Sequence, residues 1–290
     1  MNVSGATIIR NGVKLGFPFV EAIRSVLPLC AEFIVAVGDS DDDTRAHIER
    51  IGDPRIKIID TVWDSSGRTG GLVLSEQTNI ALSHCKGDWI CYIQSDEALH
   101  EKDYAAVRAA LSRVENNDRI EGLAFDYLHF YGSYYTIQAG RNWYRQEVRI
   151  IRNHCGIVSH GDAQGFRRAG SKIAAMPCGA NVYHYGWARP PAVMAEKIKS
   201  FHKLWHDDAW IEQNCAGKEA REFYRDLGNL VRFDGTHPSV MLPRINRDGE
   251  AFINSCRERY LDKRSVRQAL KDISRRLPLG EHRNFKRVTL

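Results

Sequence analysis

Two adjacent carboxylates follow an apolar run in "WICYIQSDEALHEKDY", residues 89–104. The run covers residues 89–93, and Asp96 and Glu97 come directly after the turn that ends it. Carboxylates in such a place suit Mg²⁺ or Mn²⁺, because these hard cations prefer oxygen ligands and also bind phosphate oxygens. The alternative interpretation is a charged turn that caps a helix beginning near Glu101.

Several common catalytic motifs are absent from the sequence. It has no GxxxxGK[ST] phosphate-binding loop and no GxGxxG after the first predicted strand. It also has no GxSxG nucleophile elbow. The P-loop NTPases, the dinucleotide-binding dehydrogenases and the α/β-hydrolases are therefore excluded as classes.

The N-terminal third alternates strand-like and helix-like segments. The predicted strands are "ATIIRN", "EFIVAVG", "IKIID" and "DWICYI", and the predicted helices between them are "FPFVEAIRSVLPLC", "TRAHIERIG" and "SEQTNIALSHC". This alternation predicts a parallel sheet with helices on both faces. Polar clusters follow three of the strands, at residues 10–11, 39–43 and 94–97. Ligands of such sheets bind beyond the carboxyl ends of the strands, so we expect the clusters to converge on one crevice.

The second half of the chain differs from the first in composition and pattern. Residues 121–150 are rich in aromatic side chains, and "EVRIIRN" within and after them predicts a strand. Residues 192–213, "AVMAEKIKSFHKLWHDDAWIEQ", have the spacing of one long helix. We interpret this half as an elaboration of the same domain.

Composition indicates a globular protein of the reducing cytosol. The 290 residues are 43% hydrophobic and 27% charged, and no run of about 18 apolar residues predicts a membrane span. The seven cysteines are scattered without a CxxC pair, which is typical of reduced proteins. The N-terminus has no signal-peptide pattern, so secretion is not expected.

The C-terminal residues 256–290 carry the positive charge. They contain 11 Lys and Arg against 4 Asp and Glu, a net +7, whereas the whole chain has +5. Apolar residues recur within them at helical spacing, at Val266, Leu270, Ile273 and Leu277. A basic amphipathic helix can contact anionic lipid or nucleic acid. The alternative is a solvated helix packed on the main domain.

The N-terminal segments resemble, in the same order, the pattern of the family 2 glycosyltransferases, which have the GT-A fold. That pattern runs from a strand ending near "RNE", through a helix into "SVL", to "DDGSxDxT", "xxRNxAL" and "GDYIxxLDADD". The corresponding segments are "IIRNG", "AIRSVLPLCAEFIVAVGDSDDDT", "SEQTNIAL" and "KGDWICYIQSDEALH", over about residues 5–104. "VYHYGWARPP" and "FDGTHPSVM" resemble stretches of a bacterial subgroup.

The resemblance implies a GT-A-like α/β fold, with a Rossmann-like, mostly parallel sheet, helices on both faces and a helical C-terminal extension. Residues 1–215 would be the transferase domain, with a nucleotide-sugar half at about 1–115 and an acceptor half at 116–215. Residues 216–290 would be the basic extension.

The activity implied is transfer of a sugar, with inversion, from a nucleotide-diphospho-sugar to an acceptor hydroxyl, assisted by Mn²⁺ or Mg²⁺. The acceptor would be a glycan or a lipid-linked molecule, in polysaccharide or glycoconjugate synthesis. The location implied is cytoplasmic, and residues 256–290 could add a peripheral contact with the inner face of the membrane. Nucleic acid is not an expected partner.

The resemblance also implies a donor site and a metal site. Asp96 matches the last, metal-binding Asp of the family's Asp-x-Asp motif, and Glu97 matches the acid that often follows it. His184, at the end of "NVYH", is the candidate for the later His that completes the metal site. The implied donor-binding residues are Arg10, Asn11, Asp39, Asn79, Gln94, Ser95, Asp96 and Trp187.

Two departures from the family pattern concern this site. Gln94 stands where the family has its first acid. Val37 and Gly38 stand where it has two acids that contact the nucleoside, so Asp39 is the substitute from a shifted position.

An inverting transferase needs a base opposite the leaving group, because a hydroxyl is a poor nucleophile. The family places this base on the acceptor side, and Asp162 in "SHGDAQGF" is the first candidate, followed by Glu147 and His160. Asp162 could equally be an ordinary turn residue beside Gly161. Trp187 lies in "GWARPP", which is either a loop that closes over the donor or a helix entry with a buried Trp.

Two other functions stay open at the level of the sequence. A sugar-phosphate nucleotidyltransferase has a similar sheet and acids, but it would carry a "GGxGxRL"-type loop where this chain has "IIRNGVKLG". A non-catalytic protein that binds nucleic acid or membrane through its basic tail would need residues 256–290 and not Asp96.

Overall fold

The computed structural model describes residues 1–64, 70–140, 143–215, 229–248 and 283–289. The strands are β1 (Val3–Ile9), β2 (Glu32–Val37), β3 (Ile56–Asp60), β4 (Trp89–Tyr92), β5 (Glu97–Leu99), β6 (Gly122–Tyr131), β7 (Thr136–Gln138), β8 (Gln146–Arg152), β9 (Ile157–His160), β10 (Gly165–Arg168), β11 (Ser171–Lys172), β12 (Ala174–Trp187), β13 (Leu230–Arg232) and β14 (Lys286–Arg287). The α-helices that both begin and end within the described residues are α1 (Phe19–Val26), α2 (Thr44–Glu49), α3 (Val73–Ser83), α4 (Tyr104–Val114), α5 (Pro191–His202) and α6 (Asp208–Cys215), and residues 242–248 are helical as well.

The first four strands form the parallel sheet that the sequence predicts. Their order is β3-β2-β1-β4, and each neighbouring pair is parallel. Strand β2 shows why its residues are apolar throughout, since Phe33 and Val35 pack with α1 and α4 while Ile34 and Ala36 pack with α3 on the opposite face. The predicted α/β class, with helices on both faces, is confirmed.

Beyond β4 the sheet becomes mixed. Strand β8 pairs antiparallel with β4 and β6, and the long β12 pairs parallel with β6 and antiparallel with β5. The short β5 begins directly after the polar turn of residues 94–96, and its Glu97 lies opposite His184 of β12. The register of these two strands therefore brings the turn and His184 together.

The single long helix predicted over residues 192–213 is wrong, because the structure has two helices there, α5 and α6. The interruption has a local cause in the sequence "HDDAW". The side chain of Asp207 accepts a hydrogen bond of 2.8 Å from the backbone N–H of Trp210, as an N-cap residue does. The cap starts a new helix and ends the continuity with α5.

The C-terminal segments that the structure describes add strands to the main sheet. Strand β13 pairs with β7, and β14 pairs with β12. Residues 249–282, which include most of the predicted basic helix, lie outside the described residues. The boundary at residue 215 and the helical extension therefore stay predictions. None of the described helices is long and apolar enough to cross a membrane.

Candidate donor site at the strand ends

The polar clusters after β1 and β2 lie together, as predicted. The guanidinium of Arg10 donates to the Asp39 carboxylate over 3.0 Å, and the side chain of Asn11 accepts from the backbone N–H of Asp41 over 2.9 Å. Asn11 has φ 52°, a left-handed conformation that Asn tolerates better than most residues. Asp39 also accepts from the backbone N–H of Trp63 over 3.0 Å, so the segment after β3 closes the same edge.

Trp63 explains why this edge has no acid at position 38. Its indole ring lies against Gly38, and a Cβ atom at that position would overlap the indole nitrogen. A carboxylate at position 38 could not be accommodated without moving the ring. Asp39, one residue later, takes the place beside Arg10.

Asp96 is the centre of a buried charged cluster in the turn between β4 and β5. Its side chain lies 3.3 Å from Lys197 Nζ, 3.7 Å from His184 Nε2 and 3.9 Å from Arg189 Nη2. The residue is only 8% exposed. Its backbone carbonyl accepts from the N–H of Tyr185 over 2.7 Å, which fixes the turn against β12. Three elements thus bring basic groups to one carboxylate: β12, the segment before α5, and α5 itself.

The charges of this cluster shift the pKa values of its members. Burial alone would raise the pKa of Asp96, but Lys197, His184 and Arg189 outweigh it and lower that pKa to about 2. Burial, followed by the nearby Arg189, lowers the pKa of Lys197 to about 7, although Asp96 opposes the shift. Asp96 is therefore ionised at neutral pH.

A chain of hydrogen bonds sets the tautomer of His184. His129 Nε2 lies 2.7 Å from the carbonyl oxygen of Tyr144, so this nitrogen carries a proton. Burial, with a smaller contribution from His184, lowers the pKa of His129 to about 3, so its ring is neutral and its Nδ1 accepts. His184 Nδ1 lies 2.9 Å from that Nδ1 and must donate. The Nε2 of neutral His184 therefore presents a lone pair towards Asp96.

The structure gives Glu97, a predicted metal ligand, partners within the protein. Glu97 is fully buried, and its two oxygens accept bonds of 2.8 Å each from the Arg149 guanidinium. The hydroxyl of Tyr127 donates to one oxygen over 2.8 Å, and the backbone N–H of Gln94 donates to the other over 3.0 Å. Both oxygens are occupied, because Glu97 belongs to β5 and points into the sheet interior.

Asn79 is also placed away from a donor-binding role. Its amide donates to the carbonyl of Ser159 over 3.2 Å and accepts from the Ser159 N–H over 2.7 Å. These two bonds fasten α3 to β9 and engage both ends of the Asn79 amide, which was predicted to contact the donor. Gln94 and Ser95 do lie in the turn beside Asp96, and the Gln94 amide donates to the carbonyl of Ala163 over 3.3 Å.

That bond brings the acceptor-side candidates to the end of β4. Residues 161–164 form the turn between β9 and β10, with Gly161 and Ala163 at φ 64° and 62°. Asp162 is exposed at this turn, and its carboxylate accepts from the backbone N–H of Gln164 over 3.3 Å. His160 is exposed at the end of β9. The structure therefore places Asp162 on a turn in contact with the donor-side residue Gln94.

Glu147 lies beneath this turn and is 1% exposed. Its Oε1 accepts 2.9 Å bonds from the amides of Gln164 and Asn284, while Oε2 is buried without a hydrogen-bond partner in the described structure. Burial raises the pKa of Glu147 to about 7, although Arg149 and the two amides oppose the shift. This environment makes Glu147 a residue that holds the turn, and it is too buried to reach an acceptor directly.

Trp187 ends β12 within an aromatic cluster. Its ring stacks on Tyr131 at a centroid distance of 5.4 Å, and Trp143 meets it edge-on at 6.2 Å. Trp143 also lies 4.9 Å from the His129 ring, so the cluster adjoins the histidine pair. Trp187 is half-buried, and both the loop and the packing interpretations of "GWARPP" remain compatible with this position.

Sequence reasoning missed three members of the site: Lys197, Arg189 and His129. Lys197 is one of two lysines in α5, and its apolar neighbours at helical spacing indicate only a packed face. Arg189 follows Trp187 by two residues, and that proximity was the only available signal. His129 is separated from His184 by 55 residues, and only the pairing of β6 with β12 brings the two together.

The donor set can be tested against a divalent cation. Among the described residues, no three His, Cys, Asp or Glu side chains are grouped to hold a metal ion. Asp96 Oδ1 and the lone pair of His184 Nε2 nevertheless face each other at 3.7 Å, two acceptor atoms with no proton between them. One carboxylate and one imidazole fit a cation whose remaining ligands come from a bound diphosphate and water.

No family model and no curated protein sequence matches this chain. Solved structures do show similarity. Glucosyl-3-phosphoglycerate synthase from Mycobacterium tuberculosis, in complex with Mn²⁺, UDP and phosphoglyceric acid, is 18% identical with TM-score 0.31, and the match covers 43% of each chain. Mannosyl-3-phosphoglycerate synthase from Rubrobacter xylanophilus is 20% identical with TM-score 0.32, over 44% of this chain and 41% of that one.

S. aureus TarS, residues 1–349, is 13% identical with TM-score 0.40, over 77% of this chain and 68% of that one. The match thus spans less than half of the two synthases and about two thirds of the TarS fragment. At these identities and scores the comparisons carry no argument about activity. The function is argued below from the site.

Proposed function

We propose that this protein is a glycosyltransferase that moves a sugar from a nucleotide-diphospho-sugar to an acceptor hydroxyl. The observation that carries the proposal is the buried, ionised Asp96 at the end of β4, with the lone pair of His184 on one side and Lys197 and Arg189 on the other. Such a cluster lies where ligands of parallel sheets bind, and it suits a diphosphate with its counter-ions.

The reaction explains why positive charge is needed there. Breaking the bond between the anomeric carbon and the diphosphate leaves negative charge on the phosphate oxygens. The Arg189 guanidinium and the protonated form of Lys197 lie close enough to Asp96 to face that charge. A divalent cation, Mn²⁺ or Mg²⁺, would be held by Asp96 and His184 and would supply Lewis-acid stabilisation of the leaving diphosphate.

The nucleoside would lie over the ends of β1, β2 and β3. Arg10, Asn11 and Asp39 form the polar rim there, and Trp63 packs against Gly38 beside them. Gln94 and Ser95 separate this rim from Asp96 along the end of β4. In this proposal the nucleoside and the diphosphate bind at the ends of adjacent strands.

We assign the catalytic base to Asp162. It is exposed on the turn whose Ala163 carbonyl binds Gln94, so it borders the donor side from the acceptor half. A carboxylate there would take the proton of the attacking hydroxyl during an inverting displacement. Glu147 positions the turn through Gln164 and does not touch the acceptor. The acceptor would be a glycan or lipid-linked hydroxyl in polysaccharide or glycoconjugate synthesis.

The test is calorimetric titration with UDP, GDP, CDP and TDP, with and without Mn²⁺. We expect one nucleotide to bind with the help of Mn²⁺, and Asp96→Asn to weaken that binding at least tenfold, about 1.4 kcal/mol. Asp118→Asn is the matched control, because the side chain of Asp118 is 97% exposed and remote from the cluster. Absence of binding by folded wild-type protein would contradict the proposal and favour the non-catalytic interpretation.

A further inference from the structure

We propose that Lys197 is an exchangeable counter-ion of Asp96, and this inference rests on the proposed function. In the donor-free protein the Lys197 ammonium pairs with Asp96. When the donor binds, the ammonium turns to the diphosphate and leaves the carboxylate to a divalent cation. The consequence is that nucleotide and cation bind cooperatively, and the cation alone binds weakly.

The position of Lys197 supports the exchange. Its ammonium lies 3.3 Å from Asp96 Oδ2 and donates to the carbonyl of Gly186 over 2.7 Å. These are its two hydrogen bonds within the described chain, and an ammonium has three N–H donors. The contact with Asp96 is the longer and weaker of the two, so the bond to Gly186 can hold the side chain while the ammonium takes a new partner.

The packing around Lys197 keeps it at the site in either state. The ammonium lies 5.3 Å from the ring centre of Phe17 and 5.7 Å from that of Phe201. Aromatic faces attract a cation without saturating its hydrogen bonds. The side chain is 8% exposed, so its charge acts in a poorly screened environment.

The charge balance explains why a cation alone would be disfavoured. One ionised carboxylate, Asp96, faces the Arg189 guanidinium and, when Lys197 is protonated, its ammonium, both within 4 Å. Glu97, the nearest other carboxylate in the sequence, is already neutralised by Arg149. A divalent cation would therefore enter a region of positive charge, whereas a diphosphate reverses that sign. Each ligand improves binding of the other, which is the definition of positive coupling.

The two oxygens of Asp96 face different groups, and this makes the exchange local. Oδ2 is held by Lys197, while Oδ1 faces the lone pair of His184 Nε2 at 3.7 Å. Departure of the ammonium would leave Oδ2 facing Arg189 at 3.9 Å, beyond hydrogen-bond distance, with His184 already oriented by His129. No backbone movement is required for this step.

The experiment measures Mn²⁺ and nucleotide affinities separately in Lys197→Met. Mn²⁺ binding without nucleotide is followed by electron paramagnetic resonance, and binding of UDP, GDP, CDP and TDP by calorimetry with Mn²⁺ present. We expect Mn²⁺ alone to bind about tenfold more tightly to the variant, and the nucleotide to bind about tenfold more weakly. The reason is that one charge at close range changes a binding constant by at least this factor. Lys199 is an exposed lysine of the same helix, and Lys199→Met should change neither affinity.

Opposite changes in the two affinities distinguish the exchange from a structural role, because a misfolded site loses both. Lys197→Arg keeps the charge and should keep the weak binding of Mn²⁺ alone, which checks the role of charge in a variant of similar size. Unchanged or weaker Mn²⁺ binding by folded Lys197→Met overturns the inference, whatever the nucleotide does. If the wild type binds none of the four nucleotides, the proposed function fails as well, and that result is separate from the Mn²⁺ measurement.

Discussion

Asp96 and Glu97 are neighbours in the sequence, yet they lie in opposite chemical situations. Glu97 is bound by a guanidinium through two 2.8 Å bonds and by two further donors, and none of its capacity is left for a ligand. Asp96 has three basic neighbours at 3.3–3.9 Å, none in tight contact. Asp96 ends the turn after β4 and Glu97 is the first residue of β5, which separates the two carboxylates.

The difference shows how the position of a carboxylate decides its use. Arg149 and Glu97 tie β8 to β5 inside the sheet, and Arg149 also lies over the rings of Tyr92 and Tyr127. This buried ion pair forms the floor of the site, beneath Asp96. Asp96 on top of that floor keeps its charge, as its pKa of about 2 indicates, and can exchange partners. A rigid ion pair beneath charged groups that can change partners suits a site for a charged leaving group.

The largest effect that tests this comparison is expected at the buried pair. Arg149→Met or Glu97→Gln leaves one buried charged or polar partner without its counterpart. The free energy of unfolding should fall by about 3–5 kcal/mol, the usual cost of breaking a buried ion pair. Denaturant unfolding measures it.

Asp96→Asn, at the residue next to Glu97, is the matched comparison for the unfolding measurement. It should cost less than half as much stability, because the contacts of Asp96 are 3.3–3.9 Å long, whereas Glu97 accepts two 2.8 Å bonds from one guanidinium. Equal losses at Asp96 and Glu97 would remove the distinction between a structural and a binding carboxylate. A double variant that loses both Glu97 and Arg149 should recover part of the single-variant loss.

A smaller effect is expected from the histidine that orients His184. The pKa of His129 is about 3 in the folded protein, far below the usual value of 6.5. Between these values the unfolded chain binds a proton that the folded chain does not, so stability falls as pH is lowered through 6.5. At pH 5 the loss should be about 2 kcal/mol for this residue.

Unfolding by denaturant at pH 7 and pH 5 checks the slope, with His129→Gln as the variant. Gln cannot take up the proton, so the difference between the two pH values should shrink by about the same amount. His84→Gln is the control, since His84 lies on the exposed end of α3 and should leave the slope unchanged. A difference between the two pH values that is as large in His129→Gln as in the wild type would mean that His129 is not held neutral.

Much of the fold could be predicted from the sequence because its signals are local. The apolar run "EFIVAV" of β2 is typical of a strand buried on both faces, and the alternation with helices indicates parallel pairing. The convergence of Arg10 and Asp39 followed from the same rule about strand ends. The break between α5 and α6 was missed because a helical spacing hides a cap such as Asp207.

The site was harder to predict because its partners are distant in the chain. Nothing near Glu97 indicates Arg149, which is 52 residues away, and Asn79 is 80 residues from Ser159. Lys197 reaches Asp96 across 101 residues. The sequence does not tell whether the oxygens of a carboxylate are all hydrogen-bonded within the protein or can bind a ligand. The register of the strands decides this.

The most direct test of the central claim is release of nucleoside diphosphate from nucleotide-sugars. Wild-type protein and Asp96→Asn are incubated with Mn²⁺ and a panel of UDP-, GDP-, CDP- and TDP-sugars, and the released nucleotide is measured by liquid chromatography with mass detection. We predict release from one donor class by the wild type, with a loss of at least tenfold in Asp96→Asn. Equal release by the variant, or no release from any donor by folded wild-type protein, would contradict the assignment of Asp96 to the diphosphate.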